Sequence, residues 1–147
     1  MSRETNFADY NSGWEAAELE LGLGFNQLRK ADVERCNTAF GTEGELLAWT
    51  PTDWGNALAG EVGEACNVLK KMLRIYRTPE DVTEGRWTEK DYEYSALKSQ
   101  LADEIADAVI YADLLAARLG INLGEAIAAK FNEVSERVGS DIKLPVP

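Results

Sequence analysis

The chain has 147 residues, 45% hydrophobic and 28% charged, with a net charge of −11 and no histidine, a length that suits one domain with a core of about four helices. The acidity, with Lys and Arg scattered, argues against a nucleic-acid surface, which wants a basic stripe; a nucleotide ligand stays open, because bound metal reverses the sign locally. The lack of histidine removes Ser-His-Asp and Cys-His nucleophiles, His-ligated zinc and the Glu-x-x-His form of a di-iron bundle, leaving carboxylate, lysine and hard metal.

In chain order, residues 1–24 read as an N-terminal extension. Asn11-Ser12-Gly13 is a turn, and Gly22 and Gly24 break any helix begun at Trp14. A first helix is expected from Phe25 to Phe40, with a weak apolar face. Thr50-Pro51-Thr52-Asp53 supplies capping residues and a Pro inside the first turn, so a second helix follows to about Tyr76. Arg77 to Thr88, with Pro79, Gly85 and many charges, reads as a surface loop. Thr88-Glu89-Lys90-Asp91 resembles a helix start with an acidic third position, weaker than the Glu or Gln of a true capping box, and begins a third helix that runs to Leu119, with Gly120 as its stop. Asn122 starts a fourth, closing near Gly139, and 141–147 form a tail. No strand alternation is visible, and the architecture is an all-α helical bundle of about four main helices over residues 25–140. No run approaches the roughly 18 apolar residues of a membrane span, and no secretory signal pattern opens the chain, so a cytoplasmic protein with no membrane partner is expected. Cys36 and Cys66 lack metal or redox spacing and read as buried free thiols.

Two carboxylate pairs stand out, Glu61-x-x-Glu64 in the second helix and Glu104-x-x-Asp107 in the third. A spacing of three residues puts each pair on one helix face. Glu61 shares a stripe with Trp54, Leu58, Ala65, Val68 and Met72, and Asp107 shares one with Ile110, Tyr111 and Leu114; both stripes would otherwise be core. Four converging carboxylates without neighbouring cations call for metal between them. Oxygen ligands alone select Mg²⁺ or Mn²⁺. Mg²⁺ completes its shell with substrate phosphates, and metal-assisted hydrolysis follows, with a carboxylate, Glu61 or Glu64, accepting the proton. Lys71 falls on the same side as Glu64 and Asn67, placed to meet phosphates, while Lys70 lies about 100° further round. Gly60 and Gly63 suggest a close approach of helix backbones at this level.

Ala57-Leu58-Ala59-Gly60-Glu61-Val62-Gly63-Glu64, then Leu101 to Tyr111 around Glu104 and Asp107, then Leu119-Gly120-Ile121-Asn122-Leu123, resemble the MazG-like family of all-α nucleoside triphosphate pyrophosphohydrolases over residues 25–140. The resemblance implies hydrolysis of a (d)NTP to monophosphate and pyrophosphate, with Mg²⁺ or Mn²⁺ held by Glu61, Glu64, Glu104 and Asp107, in a homodimer or homotetramer. Leu28 to Arg35, Glu64 to Lys71 and Ala129 to Gly139 are similar to segments of a phage-associated branch. That branch implies a purine dNTP, dGTP favoured, in a host cytoplasm, and adds Lys130 and Asn132 of the last helix to Asn67 and Lys71 as substrate-binding candidates. Asn132 lies opposite the stripe Leu123, Ile127, Phe131 and Val134, so contact with ligand would need a second subunit or another helix there. The 39 residues between Glu64 and Glu104 exceed the family's usual gap. The insertion carries Trp87, either in a surface loop or in a lid that stacks on the base. A non-catalytic nucleotide-binding or regulatory module is the alternative, and a carboxylate-bridged di-iron oxidase a remote third.

Overall fold

A computed structural model of the chain describes residues 23–40, 45–75 and 89–146. The N-terminal extension up to residue 22 and the insertion that carries Trp87 lie outside the described residues. All regular structure among the described residues is helical: α1 (Phe25–Ala39), α2 (Pro51–Ile75), α3 (Glu89–Arg118) and α4 (Leu123–Val138). None of these helices is long and apolar enough to cross a membrane.

Local chemistry sets the helix limits. Thr50 and Asp53 cap α2 reciprocally: the Thr50 N–H and hydroxyl donate to Asp53 Oδ2 at 2.9 and 2.7 Å, and the Asp53 N–H reaches Thr50 Oγ1 at 3.3 Å. These bonds satisfy backbone donors that the first turn leaves open. They hold the Asp53 carboxyl below its ordinary range, the Thr50 side chain contributing most. Asn122 caps α4 by accepting from the Glu125 N–H at 3.2 Å and donating to Glu125 Oε1 at 2.7 Å. Gly120 and Gly139 end α3 and α4 with φ of 69° and 72°, a left-handed conformation that glycine adopts without penalty.

The centre of the molecule is the α2/α3 hairpin. Trp54 meets Tyr111 with ring centroids 6.1 Å apart, and seven residues further along α2, Glu61 meets Glu104, seven residues earlier in α3. The two helices are therefore antiparallel. Trp54, Val68 and Met72 are buried on α2, as is Leu114 on α3. The stripe expected around Glu61 is thus the one that α2 turns toward its neighbour.

α1 packs against α3 through its buried Cys36 and through a fork from Arg29 to Asp113, Nε to Oδ2 and Nη2 to Oδ1, both at 2.8 Å. Cys66, expected to be buried as well, is exposed, because it lies about 120° round α2 from the stripe of Trp54, Val68 and Met72. Arg29 also donates to the Ile121 carbonyl at 3.1 Å. Residues 45–50 are tied to three helices: the Leu46 N–H to Asn37 Oδ1 (3.0 Å), the Trp54 indole to the Leu46 carbonyl (3.2 Å), and Arg118 Nε to the Trp49 carbonyl (3.0 Å).

α4 departs from the expected bundle. It touches α1 and α3 but not α2, and its inward face is not the expected one. Ala128 and Ser135 are buried with Asn132 between them, whereas Ile127 and Phe131 are exposed. The tail folds back onto Asn132 of this face. Asn132 Nδ2 donates to the Leu144 carbonyl at 2.9 Å, the Leu144 N–H returns to Asn132 Oδ1 at 2.8 Å, and Lys143 reaches the Asn132 carbonyl and Glu136. The Lys143 bond holds the Glu136 carboxyl below its ordinary range.

Candidate metal centre

Helical spacing on α2 and the antiparallel register bring Glu61, Glu64 and Glu104 together. Each offers a carboxylate oxygen within 4.8 Å of the others. Glu61 and Glu104 are half-buried, whereas Glu64 and Asp107 are exposed. The acids therefore sit at the rim of the hairpin, not in its core as their stripes suggested, because no described helix covers that flank of α2. Asp107 is one turn beyond Glu104 and lines the neighbouring cavity instead of joining the triad.

Partial burial raises the Glu61 carboxyl above its ordinary range, and the charges of Glu64, Asp107 and Glu104 add to this in that order. Among the described residues none of the four acids forms an ion pair; Glu104 accepts only a long 3.5 Å bond from Gln100. Like charges held this close disfavour one another's ionised form unless a cation joins them. The donor set is all oxygen, so the residues present fit a hard divalent cation. Tyr111, between the acids and Trp54, has its hydroxyl pushed up by burial and then by Glu61 and Asp107.

Asn67 and Lys71 lie one and two turns beyond Glu64 on the same flank of α2, both exposed. They lie alongside the acids. Lys130 and Asn132 do not. Lys130 pairs with Glu133 at 2.7 Å, both side chains more than half exposed, and Asn132 is occupied by the tail, on a helix that has no contact with α2. Among the described residues no helix backbone approaches Gly60 or Gly63: a Cβ at either position would meet nothing within 4 Å.

Sequence reasoning missed the cavity beside the acids. Its volume is about 340 Å³, and Asp107, Tyr111, Trp54, Trp49, Phe40 and Arg35 line it. Trp49 and Trp54 stack at 4.6 Å with a 39° tilt. Trp54 reads from its periodicity as core, which is correct for most of its surface. Trp49 sits in residues 45–50, where no period exists to place it. No protein-family model, curated protein or solved structure matches this chain.

Proposed function

We propose that the protein is a Mg²⁺-dependent pyrophosphohydrolase that converts a (deoxy)nucleoside triphosphate, dGTP favoured among purine dNTPs, to the monophosphate and pyrophosphate. The observation that carries this reading is a set of three carboxylates, within 4.8 Å of one another and without a counter-ion among the described residues, one helical turn from Asp107, which lines an aromatic cavity. Glu61, Glu64 and Glu104 would hold the cation, with Asp107 completing the acidic wall toward the cavity. Bound there, Mg²⁺ would lower the pKa of a water and offset phosphate charge. Lys71 and Asn67 suit the polyphosphate, since both are exposed donors on the flank that carries Glu64. A carboxylate of the cluster, Glu61 or Glu64, would accept the proton released as water attacks the α-phosphorus and pyrophosphate leaves. The base preference rests on the resemblance to the MazG-like family.

Ion-exchange analysis of products from each dNTP with Mg²⁺ tests the activity. Monophosphate with pyrophosphate is expected. Diphosphate with orthophosphate would overturn the assigned bond, and binding without turnover would favour a regulatory module.

Assembly as a homodimer or homotetramer belongs to the same proposal. Val62, Leu69 and Leu73 on α2 and Ile105 and Val109 on α3 are exposed, Leu73 at 71%. Each set lies about 100° past the stripe that its helix turns to the other, in the same rotational sense. In an antiparallel pair that sense brings both sets to one side of the hairpin, opposite the flank of Glu64 and Asp107. A second copy of the hairpin, apolar along the same side, is the natural cover. Light scattering is expected to give twice or four times the 16.2 kDa chain mass, and Val109→Glu to lower it. A wild-type mass of one chain would sink the proposal.

A further inference from the structure

The cavity beside Glu61 has aromatic walls and a cation at its rim. Trp49, Trp54, Phe40 and Tyr111 offer ring faces, and Arg35 is the cation among its described lining residues. A volume of about 340 Å³ accommodates a bicyclic base but leaves a triphosphate outside, on the side where Asp107 leads to the carboxylate triad. Arg35 is held in place: its Nη2 donates to Asp32 Oδ1 at 2.8 Å. Asp32 is only 3% exposed, on the turn of α1 before the buried Cys36, so the anchor cannot follow Arg35 into solvent. Among the described residues Asp32 Oδ2 has no partner, and the carboxylate accepts from Arg35 alone. The Arg35 side chain is half exposed, and a guanidinium has five N–H donors. Those not turned to Asp32 are available at the cavity.

A guanidinium donates and never accepts, so it distinguishes ring edges by their acceptors. Guanine presents N7 and O6, two acceptors at the spacing of the fork; adenine sets an N6 amino donor in place of O6, and thymine has O4 alone. We propose that Arg35, positioned by Asp32, is the specificity-determining residue of this site and selects guanine over adenine. The inference rests on the nucleotide reading above and adds to it the residue that reads the base.

The test compares kcat/KM for dGTP and dATP, with Mg²⁺, in the full-length wild type, Arg35→Gln and Asp32→Asn. A good bidentate pair discriminates by roughly 5- to 150-fold, the preference expected of the wild type. Arg35→Gln should bring the ratio to within a few-fold, mainly through a higher KM for dGTP, with the helical circular dichroism unchanged. Asp32→Asn should give an intermediate ratio, since Arg35 then keeps its charge but its bond to residue 32 loses the carboxylate charge. A wild type indifferent to the purine, or an Arg35→Gln variant with the wild-type ratio, overturns the assignment while leaving the cleavage reading intact. If no dNTP is cleaved, quenching of tryptophan fluorescence by dGMP and dAMP without metal decides: tighter dGMP binding that is lost in Arg35→Gln upholds Arg35, and equal binding overturns it.

Discussion

Glu61→Gln is expected to abolish turnover and the Mg²⁺-dependent rise in melting temperature, while raising the melting temperature of the metal-free protein. Glu61 is the triad member nearest the middle of the buried stripe of α2, and its neighbours are all acids. Without metal, its ionised form is opposed by burial and by Glu64, Asp107 and Glu104. Its folded-state pKa therefore lies above the ordinary 4.5. The sign of the pH dependence follows: the stability from the bound proton is complete below the ordinary value and is lost as pH rises through the raised one. Across that window the metal-free wild type should lose stability, whereas Glu61→Gln should not. The amide keeps the shape of the carboxylate but removes one ligand charge. Activity should fall by more than the roughly 10- to 100-fold that loss of an outer-shell partner costs a metal site. In the wild type, Mg²⁺ at a hundred times its dissociation constant stabilises by about 2.7 kcal/mol, or about 5–10 °C for a domain of this size. Thermal melts at several pH values with and without Mg²⁺ measure both effects. An unfolded variant, or one that keeps the Mg²⁺ shift, would mean that Glu61 serves the fold instead.

The largest loss of stability is expected from Arg29→Met. Asp113 is 1% exposed, and both its oxygens accept from one guanidinium. Removing that partner leaves a buried charge unpaired, which costs about 3–5 kcal/mol. The Ile121 carbonyl, in the turn between α3 and α4, loses its donor as well. Urea unfolding should show a lower midpoint with an unchanged slope, as a change in stability alone requires. The double variant Arg29→Met with Asp113→Leu should recover much of the loss, because apolar residues of similar volume commonly replace a buried ion pair without penalty. A loss below about 1 kcal/mol in the single variant, the ordinary range for an exposed ion pair, would show that water reaches Asp113.

Helix limits were legible in the sequence where short-range chemistry sets them. The Thr50/Asp53 and Asn122/Glu125 caps and the stops at Gly120 and Gly139 each depend on neighbours within a few positions. The stripe around Glu61 was legible too, since Trp54, Val68 and Met72 repeat at the helical period. What failed was long-range. Asn132 gives no sign that Leu144 will fold back on it, and nothing in the period of Leu123, Ile127, Phe131 and Val134 shows that Ala128 and Ser135 are buried instead. Burial of all four acids was overstated for a similar reason: a stripe shows which way Glu61 points, but not whether a helix covers the flank where Glu64 and Asp107 emerge. Trp49 owes its place to bonds from Asn37, Trp54 and Arg118 among residues 45–50 and beyond, which no periodicity reports.

The two flanks of the α2/α3 hairpin also divide the effects of mutation. Glu64, Asn67, Lys71 and Asp107 share one side, while Val62, Leu69, Leu73, Ile105 and Val109 share the other, with the buried stripe between them. Side chains without shared partners change stability and function nearly independently. Altering the apolar side should therefore change the mass expected from the proposed assembly while the carboxylates stay in register, and exchanges on the acidic side should change metal and substrate binding without exposing new apolar surface. Only the stripe of Trp54, Val68 and Met72 answers to both, and it is there that single substitutions should prove least separable.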